Sequence, residues 1–342
     1  TSGTTSRPKV VPLTNKNIYS SAINVSKTLK LTSNDHCFNI MPLFHIHGLI
    51  AILSASIGAG ASVYASSGFN ALKFLDKAKS ENITWYSGVP TMHQAILMRA
   101  KRNLILAENL CLRFVRSSSA SLPPAVFDQL RDVFKSPVIE AYGMTEATHQ
   151  MTSNPMPPMK QKAGFVGKAA GPEVCIMDKN GNLLKNGLEG EVCIRGDNVT
   201  KGYENNDEAN TTAFTNGWFR TGDQGFFDKD GYLKISGRLK EIINRGGEKI
   251  SPLEIDNVLM EHEAIEQVVT FGVKDNLLGE VIGVALVLKN NAECSEEEIK
   301  KYASEKLANF KIPKYICFLD EIPKGATGKL QRIGLAAKLG LE

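Results

Sequence analysis

Residues 83–90 read Ile83-Thr84-Trp85-Tyr86-Ser87-Gly88-Val89-Pro90. The β-branched and aromatic run over 83–87 predicts a short strand, and Pro90 predicts the first turn of a helix running to about Lys101. The same rhythm continues downstream. Residues 113–119 predict a second strand, Pro123 and Pro124 stand where a helix starts, and 125–134 carry helical apolar spacing. Residues 138–141 predict a third strand ending at Tyr142-Gly143. Strand, helix, strand, helix, strand is the pattern of an α/β fold with a mainly parallel, helix-covered sheet. In such sheets ligands gather beyond the carboxyl ends of the strands, where the loops 117–122 and 142–149 are expected.

Outward from this core the pattern changes. From about Gly164 to Gly237, short β runs at 174–177, 191–195 and 232–236 are punctuated by Gly, Asn and Asp turns, which predicts an antiparallel, barrel-like subdomain. After Lys240 come a helix (252–261), two strands (268–273 and 281–288), a helix with an acidic start (295–307) and a strand (315–319), a compact α+β unit. The expected division is 1–240 as the larger domain, with its parallel sheet and barrel-like part, and 241–342 as a small mobile one.

The 342 residues are 42% hydrophobic and 22% charged, an ordinary globular balance. No run of about 18 apolar residues suggests a membrane span. Residues 1–240 hold 27 Lys and Arg against 19 Asp and Glu, a net +8; residues 241–342 hold 13 against 17, a net −4. The basic part suits anionic ligands, but no basic block interleaved with aromatics points to nucleic acid. The six cysteines, Cys37, Cys111, Cys175, Cys193, Cys294 and Cys317, have no metal-binding or paired spacing, so they read as small buried thiols. The chain starts at Thr1 without an initiator Met and is read as a fragment.

Thr1-Ser2-Gly3-Thr4-Thr5-Ser6-Arg7-Pro8-Lys9 offers hydroxyls, backbone N–H groups and a cation to a polyphosphate. Its lysine follows a proline and no second glycine precedes it, so it is not a GxxxxGK[ST] loop. Taken singly, such a stretch is more often a solvated turn. It is followed by Tyr142-Gly143-Met144-Thr145-Glu146, Thr221-Gly222-Asp223, Gly237-Arg238-Leu239-Lys240-Glu241 and Pro323-Lys324-Gly325-Ala326-Thr327-Gly328-Lys329. Together, in this order and spacing, the five stretches resemble the AMP-dependent synthetase and ligase superfamily of acyl- and aryl-CoA synthetases, adenylation domains and luciferases.

That resemblance implies ATP, Mg²⁺ and coenzyme A as cofactors and small molecules as partners. It implies that Thr1, Ser2, Gly3, Thr4, Thr5 and Lys9 hold the β- and γ-phosphates. Tyr142, with Gly143, would stack on adenine, Thr145 would touch the α-phosphate and Glu146 would ligate Mg²⁺. Asp223 and Arg238 would take the ribose hydroxyls. Lys329 would stabilise the two anions that meet as an acyl adenylate forms, and Lys240 would be the hinge about which the small domain turns. Gly246 and Gly247 would line the coenzyme A channel. The chain departs from the family in having Val10-Val11 where a glycine usually follows the lysine, and a β-branched residue there restricts the loop.

For the acid, His45 and His47, Ser117 and Ser119, and His149 gather hydroxyls and imidazoles where fatty or aromatic pockets would be apolar. Polar partners of this kind suit the second carboxylate of a small diacid. The stretches at 1–9, 117–122 and 144–155 closely resemble oxalate–CoA ligases of plants and fungi. A ligase for aryl or medium-chain acids, a carrier-protein adenylation domain and a non-catalytic relative are the alternatives. Leu339-Gly340-Leu341-Glu342 lacks a Ser-Lys-Leu address, so a cytoplasmic enzyme is the first expectation and a peroxisomal one the alternative.

Overall fold

Strands β1 (His36–Asn39), β2 (Ser62–Ala65), β3 (Trp85–Gly88), β4 (Phe114–Ser117) and β5 (Val138–Met144) run parallel in the order β2-β1-β3-β4-β5. The computed structural model of the protein describes residues 9–341. Two further strands, β6 (His149–Ser153) and β7 (Lys168–Ala169), extend this sheet antiparallel from β5. The helices expected after the prolines run Pro90–Ala100 and Pro124–Phe134. Proline fits their first turns because the missing N–H has no intrahelical partner there.

Helix Asn15–Leu29 begins at a capping box in which Asn17 N–H donates to Thr14 Oγ1 at 3.2 Å and Thr14 N–H donates to Asn17 Oδ1 at 2.8 Å. Its Val25 and Leu29 join Phe74, Ile96, Phe127 and Leu130 from other helices against Phe38, Trp85, Tyr86 and Phe114 of the sheet. Phe38 stacks on Phe74 at 5.2 Å between ring centroids, and Trp85 on Phe114 at 5.1 Å. Burying each such aromatic contributes roughly 1.5–3 kcal/mol.

The antiparallel subdomain is a second sheet, β8 (Glu173–Met177), β9 (Gly190–Arg195), β10 (Phe214–Thr215) and β11 (Trp218–Phe227) in the order β10-β11-β9-β8, with β12 (Leu233–Arg238) beside β11. Thr221-Gly222-Asp223 lies inside β11. Across β8 and β9, Cys175 faces Cys193 in register, and both thiols are free. Cys37 and Cys193 are buried as expected, whereas Cys111 is exposed.

The third sheet holds β13 (Ile243–Arg245), β14 (Glu248–Ile250), β15 (Ile265–Asp275), β16 (Gly279–Leu288) and β17 (Tyr315–Phe318), with β17 parallel to β16 and the other pairs antiparallel. Alternation along β15 sends Val268 toward Ile255, Leu259, Ile299 and Ala303 of helices Pro252–Leu259 and Glu296–Lys306. It sends Val269, Phe271 and Val273 to the opposite face with Ile322, Leu335 and Ala336. The described residues form two compact units. One runs through Thr221 and includes Gly225–Ile235; the other comprises Gly222–Gln224 and everything from Ser236. No helix among the described residues is long and apolar enough to cross a membrane.

Glu140 sits fully inside the first unit on β5, where one carboxyl oxygen accepts the Leu122 N–H at 3.1 Å. Burial pushes its pKa up to about 8, against the opposing pull of the Leu122 and Gly164 N–H donors. The folded chain therefore keeps this proton where the unfolded chain, titrating near 4.3, has lost it. Stability is lost as pH climbs from about 4.3 to about 8, at no more than about 1.4 kcal/mol per pH unit, and levels off above. Glu140→Gln keeps an acceptor and removes the titration. Urea unfolding followed through the Trp85 environment should decline less steeply with pH from 5 to 8 in this variant; parallel pH profiles would show that Glu140 is ionised in the fold.

Candidate active site

The motif at 142–149 is built by two strands meeting almost without a loop. Tyr142-Gly143-Met144, expected as the start of a loop, instead continues β5 and pairs with β6, Gly143 opposite Gln150 and Met144 opposite His149. A side chain on Gly143 would place its Cβ 1.6 Å from the His149 carbonyl oxygen, so only glycine allows this closure. Between the strands, Thr145–Ala147 forms a single 3₁₀ turn, and Thr148 and His149 take φ of 52° and 116°. Positive φ in these side-chain-bearing residues costs on the order of 1–3 kcal/mol each, a strain that concentrates at functional sites. Ser21 Oγ and Asn198 backbone oxygen hold Thr148 from two sides, at 2.8 Å each.

Glu146, on the turn, is buried and accepts a 2.9 Å hydrogen bond from the Tyr203 hydroxyl. Lys9 Nζ lies 4.3 Å from the centre of the same Tyr203 ring. Burial and the Glu146 carboxylate together raise the Tyr203 pKa, so it remains a donor at any ordinary pH. Lys9 and Glu146, distant in sequence, are thus brought together through a tyrosine that sequence reading did not single out. Val10 is absent from the residues of positive φ, and its carbonyl accepts the Glu204 N–H at 3.0 Å. Thr1, Ser2, Gly3, Thr4 and Thr5 lie outside the described residues.

At the carboxyl ends of β3 and β4, Ser87 and Arg116 are register partners and share one face of the sheet. His47 is buried against them, its Nε2 2.6 Å from Ser87 Oγ and 3.5 Å from Arg116 Nη1. Its Nδ1 is 3.0 Å from Ser119 Oγ, and its ring centre is 5.1 Å from that of His149. Arg116 also reaches Ser87 Oγ and Gln150 Oε1, each at 3.3 Å. Ser119 has φ 75°, a third strained residue in this cluster. His47 opens a π-helical stretch, His47–Ser54, which presses close to the preceding turn: a Cβ on Gly48 would lie 2.5 Å from the Pro42 carbonyl oxygen.

His47, Ser119 and His149 therefore come together. His45 lies on the turn before them, where its Nδ1 accepts the His47 backbone N–H at 3.1 Å. Ser117 shares the other face of the sheet with Glu140. Arg116 was not anticipated, yet it carried a signal: a cation inside a strand of a sheet covered on both faces is out of place unless it has work there. Tyr203 carried none.

In the second unit, Arg238 Nε donates to Asp223 Oδ1 at 2.8 Å, and Leu239 N–H donates to the Gly222 carbonyl at 2.9 Å. Burial and the Arg238 cation lower the pKa of Lys329, with Asp223 pulling the other way. The loop bearing Lys329 closes on itself: Gln331 N–H donates to the Pro323 carbonyl and Gly325 N–H to the Lys329 carbonyl, both at 2.8 Å. Arg332 anchors it by ion pairs to Asp256 and, at 3.0 Å, to Glu241. Lys240 is exposed beside Glu241. Gly246 and Gly247, at φ 58° and 93°, form the two-residue turn between β13 and β14, where both positions need positive φ.

Residues 1–204 match the AMP-binding enzyme family and residues 254–329 the AMP-binding enzyme C-terminal domain. The chain belongs to the AMP-binding enzyme family. Among its relatives, the oxalate–CoA ligase of Arabidopsis thaliana is 51% identical over 97% of this chain and 65% of its own length. The oxalate–CoA ligase of Saccharomyces cerevisiae is 48% identical over 97% of the chain and 61% of its own. The chain thus spans less than two thirds of these relatives. The O-succinylbenzoate coenzyme A synthetase of Bacillus subtilis, solved with ATP and a magnesium ion, superposes with a TM-score of 0.85 at 33% identity, over 97% of this chain and 68% of that one. Among the described residues no cluster of three or more His, Cys, Asp or Glu could hold a metal ion. A lone buried carboxylate such as Glu146 fits Mg²⁺, which takes one or two carboxylates together with substrate phosphates.

The Gly143 contact yields a test of this AMP-binding fold. Gly143→Ala must force β5 and β6 apart and should cost at least about 2 kcal/mol of unfolding free energy. Gly58→Ala, at a helical position with nothing within 4 Å of the added Cβ, should cost nothing or stabilise. Equal denaturation midpoints for the two variants would refute the closure.

Proposed function

We propose that this chain carries the chemistry of an ATP-dependent, AMP-forming oxalate–CoA ligase. The observation that carries the reading is the cluster of buried His47, His149 and Arg116 with half-buried Ser119, a polar and cationic set of groups where an acyl or aryl acid would need apolar ones. The relatives named as oxalate–CoA ligases support the same substrate.

In the first half-reaction a carboxylate oxygen of the acid attacks the α-phosphorus of ATP. The new C–O–P linkage forms as the bond to the β-phosphate breaks and pyrophosphate leaves. Tyr142 offers its ring to adenine, and Thr145 its hydroxyl to the α-phosphate. Arg238 orients the Asp223 carboxylate for the ribose hydroxyls. Lys9 and the 1–5 stretch serve the outer phosphates. Mg²⁺, when bound, supplies charge neutralisation between phosphate oxygens, and Glu146, steadied by Tyr203, is the carboxylate that would hold it. Lys329 places a cation where two anions must converge, and its lowered pKa reflects a site already partly stripped of water. In the second half-reaction the thiol of coenzyme A attacks the acyl carbon and AMP leaves. We assign Lys240 as the hinge between steps and the Gly246-Gly247 turn to the pantetheine path.

Lys329→Ala in the whole protein should lower ATP–pyrophosphate exchange by roughly 10²–10³, while thioester formation from a supplied acyl adenylate changes far less. Matching losses in both half-reactions would overturn the assignment of Lys329.

For the substrate, the whole protein given ATP, Mg²⁺ and coenzyme A should use oxalate with a kcat/KM far above that for octanoate or a hydroxycinnamate. His149→Ala should raise KM for oxalate roughly 10- to 100-fold, the loss of a charge-assisted hydrogen bond, and spare weak activity on monocarboxylates. Efficient turnover of octanoate would point instead to a medium-chain ligase.

A further inference from the structure

Arg116 is fully buried, and its hydrogen-bond partners among the described residues are Ser87 Oγ, Gln150 Oε1 and His47 Nε2, none of them a carboxylate. Its Nε–H has no hydrogen-bond partner among those residues. Glu140, on the neighbouring strand, faces the other side of the sheet beside Ser117 and holds its own proton at neutral pH. Burial pulls the Arg116 pKa down to about 10, which still leaves it charged at neutral pH. A buried cation without a counter-anion is costly enough that its surroundings must answer it.

A guanidinium can only donate, and both Ser87 Oγ and His47 Nε2 face it. Arg116 Nη1–H donates to Ser87 Oγ at 3.3 Å, and the Ser87 hydroxyl, 2.6 Å from His47 Nε2, keeps its own hydrogen to donate there. With Arg116 Nη1 also 3.5 Å from Nε2, that nitrogen must present a lone pair: a hydrogen there would face the Nη1–H donor, and a ring protonated on both nitrogens would be a second cation repelled by the guanidinium. The ring hydrogen then sits on Nδ1 and donates to Ser119 Oγ at 3.0 Å. The Ser119 hydroxyl, half-buried and held at φ 75°, is left to donate to whatever acceptor comes next.

Resting on the ligase reading above, we propose that Arg116 is a specificity-determining positioning residue. It drives a one-way donor chain, Arg116 to Ser87 to His47 to Ser119, that ends in a hydroxyl offered to the second carboxylate of a dicarboxylic acid. The guanidinium is also that carboxylate's buried counter-charge. Each donor in the chain is polarised by the one behind it, so the terminal hydroxyl is a better donor to an anion than an isolated serine. A monocarboxylic acid offers this hydroxyl no acceptor and leaves the cation unanswered.

The test reads the imidazole directly. In the whole protein labelled with ¹⁵N-histidine, the His47 resonances, assigned by their loss in His47→Gln, should show a neutral ring with the hydrogen on Nδ1 at neutral pH. In Arg116→Met that pattern should be lost, with KM for oxalate raised at least roughly 10-fold and KM for ATP changed less than about twofold. Arg116→Lys, which keeps the charge, should recover part of the loss. A wild-type His47 protonated on Nε2, or on both nitrogens, overturns the proposal even if Arg116→Met does not fold. Equal rises in KM for ATP and for the acid overturn it as well, since a merely structural arginine would act on both. Should the wild-type protein fail to use oxalate, the substrate reading falls, while the tautomer still decides the donor chain.

Discussion

The His149 carbonyl oxygen occupies the space that a side chain at position 143 would need, and the first unit is arranged around that contact. Because β5 and β6 close so tightly, the chain reverses through one 3₁₀ turn, and the strain of reversal falls on Thr148 and His149. Glu146 is thereby set on the turn and His149 returned over His47. The same closure lets β6 tie distant segments together: Gln150 reaches Thr28 and the Ala170 carbonyl, and Asn198 donates to the carbonyls of Ala147 and Gln150. Hydrogen bonds from helix, loop and sheet all converge on a few strained residues, which is how a backbone conformation of low intrinsic population is over-determined.

One face of the sheet beneath changes character along its strands. Trp85 and Phe114 pack with the apolar core, whereas Ser87 and Arg116, also register partners, form a polar row at the carboxyl ends of the same strands. Strands buried on both faces normally exclude such residues, because each polar group must find a partner away from water. Here the partners come from outside the parallel strands, His47 from the π-helical stretch and Gln150 from β6. The irregular elements are what make the row tolerable.

Much of the architecture was legible in the residues. Prolines before apolar helical spacing located the helices at 90 and 124, and the Gly- and Asp-rich turns separated the antiparallel part from the parallel one. What escaped was decided by tertiary contact. Tyr142-Gly143-Met144 contains a glycine and reads locally as the start of a loop, but it is strand because β6 pairs with it. His45 and His47 are equivalent in sequence; only the winding of the π-helical stretch buries His47 and leaves His45 on the turn. Cys175 and Cys193 are unremarkable at their spacing and meet only through the register of β8 with β9. For Arg116 the clue lay in the open, a cation in an otherwise buriable strand, while Tyr203 could be found only through the carboxylate it touches.

The buried network around Arg116 also bears on how such a chain can change over time. Arg116, Ser87, His47 and Gln150 each satisfy another member, so replacing any one by an apolar residue strands a donor or acceptor in the interior. Exchanging several at once for a well-packed apolar set need carry no such penalty. Effects of substitutions here are therefore expected to be strongly non-additive. An evolving lineage, or a protein engineer, that wishes to give this fold a greasy acid pocket faces a valley between two stable solutions, and crossing it requires concerted replacement instead of gradual drift.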